Sequence, residues 1–431
     1  MSEFDVALVL GRAMLVRIRR DNERYFAYFL DSRRLVETNE VGAGILDLVL
    51  NKDMGRGEAA VALAQEYGIA PSDARADVDR FLAAVAEKLT SRDGSGPDQG
   101  QLAVPLAAEL QITQACNLRC AHCFQQEYTE QYMSPQRACA IVDTLTAAGV
   151  CEINLIGGEP LKHPGLFEIL GHCETCQCAT SLTTNGTLLG EATLNRLARF
   201  ERLHVLVSLD GVNGIHDALR GKGTFGETAK AILGLKSRRV SVDVLCTLNS
   251  LNLPHLPEIV GYCRALGVAV SFNLFKPFKA GHAHLIPVPE AFFDAIVRLH
   301  EMRQKGEAVA LFNAAIASEL MGLPSRNECT ANMSGLVIDS MGRMVPCPGL
   351  VDAGYQNAKE LPMFTKDFLG TWKSHPVFVR FRENGLSGCQ VRSFIFCRDV
   401  QVPDPYSLPA FRNYLASRQT TAPVVGRRNG Y

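Results

Sequence analysis

From Ala108 onward, six short apolar segments alternate with stretches of helical periodicity. The six segments read AELQITQ, EINLIGG, ATSLTTNG, HVLVSLDG, VSVDVLCTLN and VAVSFNLF. Strands that alternate with helices form parallel βαβ units, so the pattern predicts an α/β fold whose core is a partial, TIM-like (β/α)6 barrel. Because catalytic groups in such barrels sit at the carboxyl ends of the strands, we expect the site among the residues that directly follow these segments.

Length and composition limit what else the chain can be. With 431 residues it is too long for one ordinary domain, and two or three domains are expected. A net charge of -1 offers no field that would attract nucleic acid. The first fifteen residues carry acids where a secretory signal has basic residues, and no apolar run reaches the ~18–20 residues that span a bilayer. These features predict a cytoplasmic protein without membrane contact.

The residues before the barrel predict a separate small domain. Two β-rich segments and then three helical stretches begin at or near Ala13, Arg24, Val41, Gly57 and Ser72. Ser72 is the expected N-cap of the third helix. The pattern predicts a winged-helix-like α+β domain over residues 1–90. Residues 91–103, rich in Gly, Ser and Asp, then predict a flexible linker.

The same changes in pattern divide the rest of the chain. We expect the barrel over residues 104–288 and a helical bridge over residues 289–326. A loop-rich, cysteine-bearing domain is expected over residues 327–400, and a loosely ordered tail over residues 401–431.

Fourteen cysteines are many for a reducing compartment, where thiolates stay free for metal or for chemistry. Directly after the first predicted strand the chain reads CNLRCAHC, which places Cys116, Cys120 and Cys123 in a CxxxCxxC spacing at the catalytic end of the barrel. Three thiolates leave one iron of a cubane cluster without a protein ligand, so that a small molecule can chelate it. The competing interpretations are a zinc site, which usually has four protein ligands, and buried structural thiols.

This spacing, with His122 before the last cysteine, resembles the signature of the radical S-adenosylmethionine (SAM) superfamily, and the resemblance covers Leu106 to about Ala283. It implies a [4Fe–4S] cluster on the three cysteines and SAM bound at the open iron. The reduced cluster would cleave SAM to a 5′-deoxyadenosyl radical that abstracts hydrogen from a substrate. A flavodoxin- or ferredoxin-type protein is the implied electron donor.

Further motifs of the superfamily follow in order along the chain. Gly157, Gly158 and Glu159 end the second predicted strand as a GGEP turn, which the resemblance assigns to the amino group of SAM; a plain tight turn is the alternative. The resemblance assigns three polar residues after the third and fourth strands to the ribose and carboxylate of SAM: Asn185, Ser208 and Asp210. Arg220 resembles an arginine that contacts the SAM carboxylate. Turn formation or exposure on the surface is the alternative for these four residues.

The cysteine-bearing domain contains a second candidate metal site. Its four cysteines are Cys329, Cys347, Cys389 and Cys397. The segment between the first two predicts a β-hairpin with its turn at residues 340–342. The arrangement resembles the auxiliary-cluster extension SPASM or its shortened form, twitch. Because Arg392 stands where a CxxC would continue, twitch is favoured and one auxiliary iron–sulfur cluster is implied; a four-thiolate zinc site is the alternative.

Two other cysteine positions leave a functional and a structural interpretation open. Cys173, Cys176 and Cys178 form a CxxCxC before a barrel strand, at the face opposite the expected site, where metal binding and plain burial both remain open. Cys246, near the end of the fifth strand, either faces the barrel as a hydrogen donor or is a small core residue, and the core is favoured.

Residues 1–90 resemble the peptide-binding domain called the RiPP recognition element, which is related to PqqD, the chaperone of pyrroloquinoline quinone biosynthesis. A small sheet with an open edge beside a helix suits strand addition of an extended peptide. A packing or dimerisation domain is the alternative.

Together these features imply a maturase that holds a ribosomally made precursor peptide by its leader and modifies its core. Pro348 follows Cys347 where sulfatase-maturing relatives place an acidic residue, which puts that particular base in doubt. The alternatives are a radical enzyme acting on a small molecule and a non-catalytic iron–sulfur peptide carrier.

Overall fold

The computed structural model of the chain describes most of its residues. The described stretches are 16–21, 23–29, 34–90, 102–125, 128–277, 280–311, 314–322, 331–383 and 388–421. The start of the strand segment at Ala13, the predicted linker up to residue 101, Cys329 and residues 422–431 lie outside them.

The N-terminal residues form a three-stranded antiparallel sheet followed by three helices. The strands are β1 (Val16–Asp21), β2 (Arg24–Phe29) and β3 (Arg34–Thr38), in the order β1-β2-β3, and the helices are α1 (Glu40–Leu46), α2 (Arg56–Tyr67) and α3 (Pro71–Thr90). Helix α1 continues into a π-helical turn at Asp47–Asn51. The third helix begins at Pro71, so Ser72 is not its N-cap; proline suits the first helical position, where no N–H is required.

This N-terminal module has its own apolar core. One face of α3 carries Ala74, Val78, Leu82 and Val85, each at most 2% exposed, and packs against Phe29. Burying a Val or Leu side chain contributes about 1.5–3 kcal/mol. This face of α3 therefore holds the helices onto the small sheet.

Six parallel strands form the middle of a larger sheet, as the alternating pattern predicts. They are β4 (Ala107–Thr113), β5 (Glu152–Gly157), β6 (Ala179–Thr184), β7 (Leu203–Ser208), β8 (Ser241–Leu248) and β9 (Val270–Leu274). The helices between them are α4 (Pro135–Ala147), α5 (Leu166–Thr175), α6 (Glu191–Leu197), α7 (Gly214–Arg220), α8 (Thr224–Ser237) and α9 (Leu256–Leu266). Side chains such as Leu110, Ile153 and Val205 are fully buried between sheet and helices. The partial (β/α)6 barrel is thereby confirmed.

The large sheet extends beyond these six strands at both edges. Its order is β10-β9-β8-β7-β6-β5-β4-β11-β12. Strand β10 (Val309–Leu311) pairs in parallel with β9, and β11 (Gly335–Ile338) pairs in parallel with β4. The expected helical bridge therefore contains a strand between α10 (Pro289–Gln304) and α11 (Ala314–Leu320). A strand of three residues is too short to show alternation in the sequence.

In its described part, the cysteine-bearing region consists of a β-hairpin and four short helices joined by loops. Strands β11 and β12 (Met344–Val345) form the predicted hairpin, whose turn places Gly342 at a φ of 79°, a conformation that favours glycine. The helices that follow are α12 (Pro348–Asp352), α13 (Phe368–Ser374), α14 (Pro376–Glu383) and α15 (Gln390–Cys397). Helices this short carry too few apolar repeats to stand out in the sequence.

A further helix occupies the segment that was expected to be a loosely ordered tail. Helix α16 (Leu408–Thr421) buries Phe411 and Tyr414, whose rings each lie 5.3 Å from that of Phe293 in α10. Aromatic contacts with a distant helix thus hold a segment of weak intrinsic pattern. Of the helices that the structure describes, α16 included, none combines the length and the apolar character needed to cross a membrane.

The N-terminal module rests on the amino ends of the barrel strands. Arg17 of β1 donates to the carbonyl oxygens of Val150 and Cys176, at 3.1 and 2.7 Å, just before β5 and β6 begin. Arg19 donates to Val104 O at 2.6 Å, ahead of β4. This seam lies at the end of the barrel opposite the expected site.

One buried carboxylate fixes the chain where it enters the barrel. Asp21 is 1% exposed and accepts hydrogen bonds from the backbone N–H groups of Ala103, at 2.8 Å, and Val104, at 3.3 Å. Arg19 Nη2 lies 3.4 Å from the same carboxylate. The two bonds from the Ala103 and Val104 amides join β1 to the segment that leads into β4.

We expect Asp21→Ala to loosen this junction, because it leaves buried N–H donors without an acceptor. A hydrogen bond to a charged group contributes about 2 kcal/mol, so the Ala103 and Val104 amides should exchange with solvent roughly thirtyfold faster. Hydrogen exchange measured by mass spectrometry checks this. Glu37→Ala is the control, since the Glu37–Arg24 pair is about one third exposed and contributes little. Unchanged exchange in Asp21→Ala would contradict the assignment.

Candidate functional site

The two faces of the barrel sheet differ in a way that opens its interior. Along β5, Ile153 and Leu155 are fully buried under the helices, whereas Asn154 and Ile156 on the other face are partly exposed. A filled barrel carries branched apolar side chains on its inner face. Here the inner positions include several polar residues: Glu109, Gln111, Asn154, Thr183, Asp243 and Asn273. The barrel therefore encloses an open polar lumen that can admit a substrate.

The predicted site residues of the barrel meet at one end of this lumen. The three-cysteine loop follows β4, the GGEP turn follows β5, Asn185 follows β6, and Ser208 ends β7 with Asp210 just beyond. Asn185 Nδ2 donates to Asn117 Oδ1 at 2.9 Å, which joins the end of β6 to the cysteine loop. Ser208 is 8% exposed at the same rim. Sequence positions far apart are thus brought to a single carboxyl-terminal rim.

The two glycines of the GGEP turn allow an unusually close backbone approach. A Cβ on Gly157 would lie 2.5 Å from Thr113 O, and a Cβ on Gly158 would lie 2.4 Å from Ala115 O. In place of side chains, Gly158 N donates to Thr113 O at 2.9 Å, and the next amide, that of Glu159, donates to Ala115 O at 2.8 Å. This contact fixes the chain directly before Cys116, so the glycines position the cysteine loop.

Glu159 is fully buried and holds two strand ends together. Its carboxylate accepts from the amides of Leu161 and Asn185, at 3.0 and 2.8 Å, and from the Thr184 hydroxyl at 2.7 Å. Burial raises the pKa of Glu159, and these hydrogen bonds oppose that rise. Three of the roughly four acceptor positions of a carboxylate are therefore in use, which leaves room for one further donor.

A buried ion pair links the fourth strand end to the cysteine loop. Arg220 Nε donates to Asp210 Oδ2 at 2.5 Å, and His122 Nε2 lies 3.2 Å from the same oxygen. Asp210 Oδ1 accepts from Thr247 N at 2.7 Å. Burial acts to raise the pKa of Asp210, but Arg220 and His122 outweigh it and hold that pKa well below its usual range. Arg220 is not the exposed surface arginine of the alternative interpretation.

The three cysteines form a group of partly buried sulfurs. Leu118 N lies 3.5 Å from Cys116 Sγ, and Arg220 Nη1 lies 4.0 Å from Cys120 Sγ, so both sulfurs face donors that favour the thiolate. Burial raises the pKa of Cys120 to about 11, Arg220 opposes this, and Cys123 and Cys116 add smaller raising effects. A bound metal cation reverses this balance and deprotonates coordinating thiols.

These three sulfurs are not gathered closely enough to form a ready-made site for a single zinc ion. A tetrahedral zinc ion with Zn–S bonds near 2.3 Å draws its thiolates to about 3.8 Å from one another. The sulfurs of Cys116, Cys120 and Cys123 do not all lie within 4.8 Å of one another. The neighbouring His122 Nδ1 is buried without a hydrogen-bond partner. Three thiolates on one loop fit a cubane cluster that keeps one iron open for a small molecule.

The second cysteine group is only partly assembled. Cys347 and Cys389 are partly buried and pack against the same apolar cluster. Burial, and to a smaller extent Cys389, raises the pKa of Cys347. Cys397 ends α15, about 12 Å along the helix from Cys389, and the structure does not bring it to that pair. Arg392, which replaces a cysteine of the full SPASM pattern, donates to the buried Asp404 at 2.8 Å. Asp404 also accepts from Cys389 N at 3.0 Å.

Sequence reasoning missed one ionisable group of the lumen. The protein that surrounds the lumen partly desolvates Glu109 and so raises the pKa of its carboxyl group, while Lys276 opposes this rise. The side chain of Glu109 still reaches solvent in the open lumen. Lys276 also lowers the pKa of Cys347, so its positive charge acts on both the lumen and the second cysteine group. The signal in the sequence was a charged residue in the middle of a strand, at an inward position of β4.

Cys246 is not a lumen residue. Its side chain is fully buried against the helices, so Cys246 belongs to the core, as the sequence favoured.

Comparisons with known proteins agree with this architecture. Residues 110–262 match the radical SAM superfamily, and residues 25–88 match coenzyme PQQ synthesis protein D (PqqD). Mycofactocin maturase MftC of Mycobacterium tuberculosis is 25% identical over 330 residues, which is 70% of this chain and 83% of that protein. The antilisterial bacteriocin subtilosin biosynthesis protein AlbA of Bacillus subtilis is 29% identical over 250 residues, 57% of this chain and 55% of that protein.

The fold is also that of a solved structure, Streptococcus suis SuiB bound to the precursor peptide SuiA. The TM-score is 0.67 at 16% identity, and the match covers 91% of this chain and 98% of that one. The chain belongs to the radical SAM superfamily. Its N-terminal module belongs to the PqqD family of RiPP recognition elements, and its cofactors are a [4Fe–4S] cluster and SAM.

We expect Arg220→Met to destabilise the chain by about 3–5 kcal/mol, because it leaves the Asp210 charge buried without its main partner. The contribution of Asp210 is present above its unfolded pKa and is lost as the pH falls through its lower folded pKa. Without Arg220, burial keeps the carboxyl protonated at low pH. The deficit of the variant should therefore shrink as the pH falls from 7 towards 4.

Urea unfolding at several pH values measures this effect. The matched control is Arg412→Met, whose partner Glu319 is on the surface, so that its cost should stay below about 1 kcal/mol. Equal costs for the two variants at pH 7 would contradict the role of the buried pair.

Proposed function

We propose that this protein is a radical SAM maturase of a ribosomally made precursor peptide, which its N-terminal module holds by the leader. One observation carries the proposal: a PqqD-type module is docked by β1 onto a barrel whose rim gathers three cysteines from one loop. The relatives include a mycofactocin maturase and a bacteriocin biosynthesis protein, and SuiB was solved with a precursor peptide. A small-molecule substrate would leave the docked module without a role.

The residues of the rim are assigned to the cofactors as follows. Cys116, Cys120 and Cys123 hold the [4Fe–4S] cluster, and the open lumen below them receives the substrate. Three residues of the GGEP turn bind SAM: Gly157, Gly158 and Glu159. Five further residues complete the SAM site: His122, Asn185, Ser208, Asp210 and Arg220. When bound, the reduced cluster and SAM supply a 5′-deoxyadenosyl radical that abstracts hydrogen from the substrate.

The arrangement of the chain supports several tasks for these residues. Asp210 and Arg220 keep the His122 ring at the rim, where its unsatisfied Nδ1 can meet the cofactor. Glu159 retains one acceptor position for an ammonium group. The walls of the barrel keep bulk water from a substrate segment that lies in the lumen.

The N-terminal sheet offers an edge for the leader. In the described part of the chain, β3 pairs with β2 alone and forms the outer edge of the three-stranded sheet, with α3 beside it. An extended peptide can add to such an edge, since main-chain hydrogen bonds give affinity and side-chain pockets give selection. The other edge strand, β1, is turned towards the seam.

A second cluster is assigned to the C-terminal domain. Cys347 and Cys389 are its central ligands, with Cys329 and Cys397 as the further predicted ligands; Cys397 requires a rearrangement of α15 to join them. A flavodoxin- or ferredoxin-type protein is the proposed electron donor, and the cytoplasm is the proposed location because it keeps these thiols reduced. Zinc bound to four thiolates remains the alternative for this site.

The function is tested with the full chain, its clusters reconstituted, and a peptide encoded beside the gene. We expect micromolar binding of the fluorescein-labelled peptide by anisotropy, and faster formation of 5′-deoxyadenosine together with a mass change in the peptide. Deleting the leader half should abolish binding, because the strand-adding segment is lost. Equal turnover of the leaderless peptide, or turnover without any peptide, would refute the proposal.

We expect Glu109→Gln to reduce peptide modification at least about tenfold, because a neutral amide cannot take or give a proton in the lumen. Leader binding should stay unchanged, since Glu109 lies on the inner face of β4 and belongs to neither β3 nor α3, which form the proposed leader edge. Mass spectrometry of the peptide and anisotropy measure the two effects. Glu191→Gln, on an exposed helix position, is the matched control. A parallel loss of leader affinity would show a general structural defect instead.

A further inference from the structure

A second group of metal-binding side chains lies at the amino end of the barrel, far from the rim. Asp143 belongs to the last turns of α4, His172 belongs to α5, and Cys176 is the C-cap residue of α5. Each residue offers one ligand atom, and these three atoms all lie within 4.8 Å of one another. Among the described residues, this is the one group of three His, Cys, Asp or Glu side chains whose ligand atoms are this close together.

The local fold explains why these residues meet. His172 and Cys176 are four residues apart, so their side chains share one face of α5, and that face is turned towards the neighbouring α4. Helix α5 stops at Cys176, whose N–H donates to His172 O, and Gln177 then adopts a φ of 52°. The Cys176 carbonyl accepts from Arg17 Nη2 at 2.7 Å. The backbone that carries the thiol is therefore fixed on both sides.

The three ligand atoms lie close enough together for one ion to be bound between them. Asp143 Oδ1 lies 2.7 Å from His172 Nε2 and 3.5 Å from Cys176 Sγ. Around a tetrahedral zinc ion, with bonds of about 2.0 to 2.3 Å, ligand atoms lie roughly 3.3–3.8 Å apart. Small side-chain adjustments thus convert the observed contacts into an ion site. His172 is 29% exposed and Asp143 59% exposed, so solvent can supply a fourth ligand.

We infer that Asp143, His172 and Cys176 bind one Zn²⁺ ion, with a water molecule as the fourth ligand. A mixed set of carboxylate, imidazole and thiolate suits zinc and does not suit Mg²⁺ or Ca²⁺, which prefer oxygen ligands. The ion joins α4 to the end of α5 directly beside the seam with the N-terminal module. This site is independent of the proposed peptide maturation.

The same placement decides which cysteines of the CxxCxC motif take part. Cys173 and Cys178 are fully buried in the apolar core of the barrel, whereas Cys176 is partly exposed and turned towards Asp143. The motif therefore contributes one ligand, and the other two come from a histidine within α5 and an acid on α4. Binding replaces the thiol proton of Cys176, so zinc uptake releases about one proton per ion.

The experiment uses the full chain with its iron–sulfur clusters reconstituted and weakly bound zinc removed by EDTA. Zn²⁺ alone is then titrated in competition with a chromophoric chelator, and iron is measured in parallel. We expect one more zinc ion per chain in the wild type than in Cys176→Ser or His172→Gln, at unchanged iron content. Loss of a direct ligand should weaken binding at least about 100-fold, since loss of an outer partner alone costs 10–100-fold.

Two further variants separate ligation from a general effect. Cys139→Ser, one turn before Asp143 on α4, should keep the wild-type zinc content, and Cys176→His should retain zinc because it replaces one ligand by another. Zinc-edge X-ray absorption of the wild type should show one sulfur among nitrogen and oxygen ligands. Wild-type zinc content in His172→Gln, whose side chain is accessible enough to tolerate replacement, would overturn the proposal. So would an equal loss of zinc in Cys139→Ser.

Discussion

The Asp210 carboxylate is the point on which the catalytic rim depends. It receives Arg220 from the end of α7, His122 from the cysteine loop and the backbone of Thr247 from β8. Because the carboxylate is buried, each of these partners is held in place by the cost of leaving a charge unpaired. Three separate segments of the chain are thereby kept in register around one atom group. The cysteine loop is also held by the bond from Ala121 N to Leu219 O and by the Asn185–Asn117 bond. Its geometry therefore follows from this ion pair together with those two bonds and the glycines beneath it.

The repeating elements could be predicted from the sequence because their pattern is local. Six strands with alternating or continuous apolar character, separated by helices, leave few topologies open, and the rim residues follow from the ends of those strands. Local patterns did not predict three features: the start of α3, the three-residue strand β10 and the helix α16. Helix α16 depends on the contacts of Phe411 and Tyr414 with Phe293, more than a hundred residues earlier, and such contacts leave no local periodicity.

The candidate site shows the same division. Cys116, Cys120 and Cys123 are recognisable because a fixed spacing on one loop carries the chemistry, whereas Glu109 is an ordinary residue until the curvature of the sheet turns it inward. The position of Cys397 depends on whether the segment after Cys389 is a loop or a helix, and eight residues cannot decide this by their pattern alone. Asp143 and His172 come from two helices, and only their packing brings them to Cys176.

The seam between the N-terminal module and the barrel determines how far a bound peptide must travel. The module contacts the amino ends of the strands, and the cysteine loop lies at their carboxyl ends, with the seven residues of β4 between them. At ~3.3 Å per residue the separation is at least about 20 Å. A peptide anchored on the module must therefore extend over roughly six residues before any of its side chains reaches the rim. The thickness of the barrel acts as a ruler that sets the minimum distance between the recognised segment and the first residue that can be modified.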